Sequence, residues 1–204
     1  MTVTIRPASI HDAAALSRIC LLTADAGQSA EHLHDFPELP GLVWAVPYIT
    51  LPTTWGFVMV EEDSGEVVGY IVGSQDSPAY ERYTAEHLWP NLSKKYPSSI
   101  AVKPADKHYA QLLRKFRVLP DTTLAFAPAH LHIDILGSYQ KQGWGRRLIQ
   151  TAVEYLRNKG IDGLWLVMNP KNMNGRKFYE KLGFTGIEGS PENHLGLKFD
   201  SWAC

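Results

Sequence analysis

The sequence predicts an α/β fold built on a mixed sheet, and three features predict it. Segments of apolar alternation are interleaved with segments of helical period in the order β-α-β-β, an interruption, then β-α-β-α-β-β. A hairpin is written into residues 55–73, where two runs rich in β-branched and aromatic residues flank Asp63-Ser64-Gly65. Between residues 130 and 159, a strand, a glycine-rich turn and an amphipathic helix follow one another.

Residues 2–6 alternate as a strand that Pro7 ends. Ser9 and Asp12 then offer N-cap chemistry ahead of the apolar spacing Ala13, Leu16, Ile19, Cys20. After the hairpin, residues 77–128 mix tyrosines, prolines and charges, with helical spacing around 80–92 and 107–116. This segment reads as an ordered insertion, because Trp89, Leu112, Leu113 and Phe116 supply a face to pack. The strand 130–136, the helix 145–159 and a buried strand 163–168 come next. Asn169-Pro170 breaks that strand, a short helix spans about 174–182, and Gly183 closes it. A last strand pair is expected around 184–188 and 194–199.

A chain of 204 residues has room for one domain with a sizeable core, so a single domain over 1–204 is the expectation. Charged residues are 20% of the chain and the net charge is -1, which lacks the basic face that a phosphate backbone needs, so no nucleic-acid partner is expected. Two cysteines, Cys20 and Cys204, give no disulfide framework and no metal-ligand spacing. No apolar run approaches the roughly 20 residues of a membrane span, and the first residues lack a signal pattern. A soluble cytoplasmic protein with no metal and no membrane partner is the expectation.

Gln140-Lys141-Gln142-Gly143-Trp144-Gly145-Arg146-Arg147 lies between strand and helix. Glycines there let backbone approach a ligand, while the helix start aims unpaired N–H groups outward, which is the form of a pyrophosphate site. Lys141, Arg146 and Arg147 add positive charge in the same sense as the helix dipole. Turns of this kind also serve helix–strand packing alone, and the isolated turn is open to either reading. A dinucleotide fingerprint belongs after the first strand, and a phosphate-loop nucleotidase needs Gly-Lys-Ser/Thr; neither is present.

Gln140-x-x-Gly143-x-Gly145, followed by Asn172-x-x-Gly175-x-x-x-Tyr179-Glu-Lys-Leu-Gly183-Phe184, resembles the two cofactor motifs of GNAT acetyltransferases. The resemblance covers 130–187 directly. It implies a largely antiparallel twisted sheet flanked by helices, acetyl-CoA as co-substrate, and acetyl transfer to a primary amine by direct attack in a ternary complex. It also implies that the loop from Gln140 to Arg146 holds the diphosphate and that Ile133, Ile135 and Leu136 meet the pantetheine arm. Asn172 and Gly175 would contact the cofactor, and Tyr179 would reach the coenzyme sulfur. A finer resemblance is to the acetyltransferase-like domain attached to O-GlcNAcases and its free-standing microbial relatives. It rests on Thr23-Ala-Asp25-Ala-Gly27-Gln28, Pro47-Tyr48, Gly69-Tyr70, His132-Ile-Asp134, Phe178-Tyr179, Trp89-Pro90 and Tyr96-Pro97. In some members of that group the cofactor loop is degraded; here it is intact.

Acetyl transfer needs a neutral amine, a polarised carbonyl and a proton for the leaving thiolate. Tyr179 is the candidate acid, with a core tyrosine as the plain alternative. Asn172 reads equally as a helix cap. Strand alternation puts His130, His132, Asp134 and Leu136 on one face, so Asp134 and His132 are candidates for the base, ahead of His130. Asp25, Tyr48 and Asp76 are candidates for the acceptor side, a small-molecule amine or a peptide lysine, with turn caps and core packing as their alternatives. A homodimer through the last strands and Trp202 is a further expectation, and a non-catalytic module binding a protein partner is the competing function.

Overall fold

The computed structural model describes residues 2–115 and 119–202. Phe116 and Cys204 lie outside the described residues. Seven strands form one sheet in the order β1-β2-β3-β4-β5-β7-β6: β1 is Val3–Pro7, β2 Thr54–Glu61, β3 Val67–Ser74, β4 Ala129–Ile135, β5 Gly163–Val167, β6 Thr185–Gly186 and β7 His194–Lys198. Every pairing is antiparallel except β4 with β5. The mixed sheet, largely antiparallel and flanked by helices, is therefore present. The first strand of the final pair, β6, is reduced to two residues, because Gly186 precedes a turn closed by Ser190 N–H to Ile187 O.

Period-2 alternation gives the sheet two apolar faces. On one, Met59, Ile71, Leu131 and Leu164 meet Leu148, Ile149, Ala152 and Leu156 of α7, Trp144–Arg157. On the other, Val58, Tyr70 and Val72 meet Leu16, Ile19 and Cys20 of α1, Ala13–Thr23. Burial of several such side chains, at about 1.5–3 kcal/mol each, is the main term holding the layers together. A short helix that the sequence conceals behind Leu39-Pro40-Gly41, α2 (Leu39–Trp44), lies against α1. Gly41 is required there, because a Cβ would sit 2.5 Å from the Ser17 Cα.

The insertion is helical: α3 (Ser77–Tyr83) runs through a π-helical turn into α4 (Trp89–Lys95), and α5 (Pro104–Leu112) and α6 (Asp121–Phe126) follow. Trp89, Tyr96 and Leu113 pack with Leu39 and Val43 of α2. A buried pair fastens α5 to the chain before α2: His34 Nδ1 meets Asp106 Oδ1 at 2.7 Å, and the Asp35 N–H donates to Asp106 Oδ2 at 2.7 Å. The last helix, α8 (Met173–Lys181), ends where Gly183 takes φ +90°. Among the described residues no helix is long and apolar enough to cross a membrane. Trp202 is buried at 5% exposure, with Arg146 over its ring and its indole N–H on Gln150, so it packs within the chain and presents nothing to a second copy.

The start of the fold carries a test of its own. Arg6 holds Asp12 through two bonds of 2.9 and 2.7 Å, and the Ser9 N–H adds a third at 2.8 Å. Chiefly through Arg6, the Asp12 carboxyl is lowered to about 2. A depressed folded pKa stabilises above the unfolded value and loses that contribution as pH falls toward the folded one. Asp12→Asn should cost about 1–2 kcal/mol at pH 7, allowing for solvent around the half-exposed Arg6, and the difference from wild type should vanish as pH drops from about 4 to about 2. Urea unfolding across that range measures it.

Candidate active site

β4 and β5 pair only at Ala129 with Leu164 and His130 with Trp165. Beyond His130 the two parallel strands part, and β4 stays bound to β3 on its other edge as far as Ile135. Leu136 N–H donates to Val68 O at 3.0 Å, so alternation directs the backbone groups of 130, 132, 134 and 136 at β3. Those of Leu131, Ile133 and Ile135 point into the gap. An extended chain with amide groups has a ready edge there, at Ile133 and at the Ile135 N–H, the Ile135 carbonyl accepting from Gln140 at 2.8 Å; the Leu136 N–H is spent on β3.

A cavity of about 800 Å³ occupies this gap and continues under α1, α2 and α5. Its walls include His132, Ile133 and Asp134 from β4, Leu166 to Asn172 from β5 and after, Tyr179 from α8, and Trp44, His108 and Tyr109 from α2 and α5.

At the far end of β4 the glycine loop turns into α7. Gly143 is the N-cap at φ +85°, and a Cβ on it would meet nothing within 4 Å. The first backbone bond into the helix is Arg147 N–H to Gly143 O at 3.2 Å, so the amides before it have no acceptor inside α7. Gly145 has another reason to be glycine: a Cβ there would lie 2.7 Å from the Phe178 ring of α8. Close packing of α7 on α8 therefore favours glycine at 145 independently of any ligand. Gln140 and Gln142 brace the loop, donating to the Ile135 and Ser138 carbonyls at 2.8 Å each. Lys141 takes φ +60° and is exposed. Trp144 lies under the Arg147 guanidinium, 4.5 Å from the ring centre. Asn172 caps α8 by accepting from Gly175 N–H at 2.8 Å, and a Cβ on Gly175 would strike that same side chain.

Tyr179 is half-buried between Phe178 and Phe184, with ring centres 5.2 and 5.4 Å away. Burial, and then the Asp134 charge, push its phenol well above the ordinary range, so it is a neutral acid at physiological pH. Opposite, Tyr70 Oη donates to Asp134 Oδ2 at 2.5 Å and stands 3.4 Å from His132 Nδ1, which is 3.5 Å from the same carboxylate oxygen. Burial raises the Asp134 carboxyl, opposed by His132 and by hydrogen bonds from Tyr70 and Thr23. The indole of Trp44 lies parallel to the His132 ring, with centres 6.1 Å apart.

The remaining candidates are divided by the fold. His130 is buried, with Nδ1 on Ser77 Oγ at 2.7 Å and Nε2 on Tyr48 Oη at 2.9 Å; both nitrogens are committed to packing polar groups together. Tyr48 borders the cavity but spends its hydroxyl on His130 and stacks on Tyr80 at 4.7 Å. Asp25 is exposed at the cavity rim, in a tight turn closed by two backbone bonds with Gln28. Asp76 is not a wall of the cavity at all: it caps α3 by accepting from Ala79 N–H at 2.9 Å. Tyr70, Thr23, Trp44 and Tyr109 border or brace the site without having been singled out for a role, since only the pairing of strands and the docking of α5 bring them there.

Residues 115–184 match the model of the acetyltransferase (GNAT) family. Over the whole chain, the structure aligns with the crystal structure of SsHAT at TM-score 0.79 and 28% identity, covering 97% of this chain and 98% of that one. The chain has the GNAT acetyltransferase fold. PaiA N-acetyltransferase from Thermoplasma acidophilum, solved in complex with coenzyme A, shares that fold at TM-score 0.56 and 16% identity, covering 97% of this chain and 99% of that one. Among curated relatives, a ribosomal protein bS18-alanine N-acetyltransferase of Haemophilus influenzae is 35% identical over 71 residues, 35% of this chain and 44% of that protein. Its Escherichia coli K12 counterpart is 34% identical over 67 residues, 33% of this chain and 41% of that protein. The chain thus matches less than half the length of the curated relatives.

Proposed function

We propose that this protein is an acetyl-CoA-dependent N-acetyltransferase that delivers the acetyl group directly to a primary amine bound beside it. The observation that carries the reading is the parting of β4 from β5. It leaves a free strand edge between a helix start suited to a diphosphate and a cavity holding a neutral phenol opposite a carboxylate and an imidazole. The residues fit the cofactor: Gly143 adds no side chain where phosphates would approach, and Ile133 with the Ile135 N–H offers backbone groups to an amide-bearing arm. When bound, acetyl-CoA supplies the activated thioester.

The chain's own groups then have distinct tasks. Tyr179 Oη holds a proton for the departing sulfur. His132 Nδ1 faces Tyr70 and Asp134, which favours the tautomer with its lone pair on Nε2, and that nitrogen receives the proton of the amine. Asp134 stabilises the imidazolium so formed. Cys20, the cysteine at this cavity, has its thiol pushed well up by burial and by Asp134, so it is a poor thiolate nucleophile and direct transfer is favoured over an acyl-enzyme. Likeness to the acetyltransferase-like domain of O-GlcNAcases is part of this proposal. Its support is that Thr23, Asp25, Gly27, Tyr48, His132 and Asp134, which carry that likeness, all border one cavity.

Calorimetric titration with acetyl-CoA should give micromolar binding. A screen of small amines and lysine peptides should then give initial-rate lines that converge, as a ternary complex requires. No binding would sink the reading, and parallel lines would sink direct transfer.

A further inference from the structure

Tyr70 is fully buried, at 0% exposure, in the middle of β3 and directly opposite Asp134 of β4. A phenol in such a place needs a partner, and this one has the strongest kind available to it, a charged oxygen at 2.5 Å. Its oxygen is at the same time 3.4 Å from His132 Nδ1, and its ring lies nearly parallel to the imidazole, at 15° and 6.3 Å between centres. One buried hydroxyl therefore touches both groups, His132 and Asp134, that the proposed function sets to take the amine's proton.

We propose that Tyr70 is a positioning residue: its hydroxyl fixes the orientation and the charge of Asp134, and through that carboxylate the tautomer of His132. The inference rests on the reading of this cavity as an acetyl-transfer site, yet its geometry is testable without any transfer. The phenol donates its proton to Asp134 Oδ2, so it has none to offer His132 and can only accept from it. Both acceptors facing Nδ1 call for N–H on that nitrogen, and the ring presents its other edge away from the pair. The polar and titratable groups around Asp134 come from every element packed there: Cys20 and Thr23 from α1, Tyr70 from β3, His132 from β4, Tyr109 from α5 and Tyr179 from α8. The tyrosines and Cys20 are neutral near pH 7, leaving His132 and Asp134 as the coupled pair that Tyr70 faces.

The sign of the effect follows. Donation by Tyr70 stabilises the carboxylate, so its removal makes Asp134 hold a proton more tightly and leaves more negative charge facing His132. On either account the pair takes up its first proton at a higher pH. Removing the carboxylate acts the opposite way, since His132 loses the charge that favours imidazolium. Nitrogen-15 NMR of the imidazoles, assigned with a His132→Gln variant and followed against pH, reads both the tautomer and the titration. In the wild type His132 should show the Nδ1–H tautomer. In Tyr70→Phe its titration should move up by about one pH unit and in Asp134→Asn down by about one, with Tyr70→Phe having no further effect in the double variant. The opposite signs separate positioning from a general loosening of the core, which would move both variants the same way. Should Tyr70→Phe fail to fold, the wild-type tautomer and the downward shift in Asp134→Asn carry the test. An unshifted His132 in Tyr70→Phe, or an Nε2–H tautomer in the wild type, overturns the inference. Acetyl-CoA titration on the same samples reports separately on the cofactor reading: normal binding with an unshifted His132 would fail Tyr70 alone, and lost binding in the wild type would fail the function alone.

Discussion

Tyr179→Phe is expected to lower kcat about 100-fold while leaving acetyl-CoA affinity within about a factor of two. The substitution keeps the ring, and the ring is what packs: Phe178 and Phe184 hold its edges, and the Tyr179 carbonyl, which accepts from Leu182 and Phe184 N–H, is untouched. Among the described residues the hydroxyl makes no hydrogen bond to the protein, so its loss strands no buried partner and melting should be unchanged. What disappears is a proton held inside the cavity. Because burial raises that phenol beyond its ordinary range, it keeps its proton at physiological pH, and an alkaline fall in activity near pH 9 would have to come from another group. Steady-state kinetics with an amine found by the acceptor screen measures the split. Wild-type turnover in the variant would remove Tyr179 from the chemistry and leave it a packing residue.

Much of this architecture is local enough to read from the chain. The hairpin is set by Asp63-Ser64-Gly65, and Gly65 takes φ +72° in the fold. The cap of α7 is likewise legible, because a glycine at the start of a strongly amphipathic helix has few other uses. Asp76-Ser77-Pro78 also carries a helix start in plain sight, an N-cap followed by proline in the first turn, and the turn-cap alternative for Asp76 is the one that the fold takes. Other features depend on register, which no local pattern encodes. Alternation assigns His132 and Asp134 to one face but cannot say that Tyr70 lies opposite Asp134, or that His130 is consumed by Ser77 and Tyr48. Gly145 gives the same lesson in reverse. Its neighbour in sequence is the loop read as a phosphate cradle, and its neighbour in space is Phe178, thirty-odd residues on. The helix α2 was hidden for a physical reason: Pro40 and Gly41 weaken its intrinsic propensity, and packing on α1 overrides them.

Gly143→Glu is expected to raise the dissociation constant of acetyl-CoA by more than about 100-fold, the largest binding effect any single change here should have. Two effects add. At φ +85° a side-chain-bearing residue is strained by about 1–2 kcal/mol, and the new carboxylate stands at the end of α7 from which unpaired N–H groups point. There it would satisfy the helix dipole itself, contributing about 0.3–1 kcal/mol to the fold, and would repel the phosphates that the same dipole should attract. Stability and binding therefore move apart: the protein should melt within a few degrees of wild type because the Cβ meets no neighbour, while the anion site is lost. Gly143→Ala separates the two effects, since it keeps the strain and omits the charge, and its binding should weaken by less than about tenfold. Calorimetry on the three proteins decides among them. If the alanine and glutamate variants weaken binding equally, backbone shape at the loop matters and charge does not. If neither weakens it, the diphosphate is held somewhere other than the start of α7.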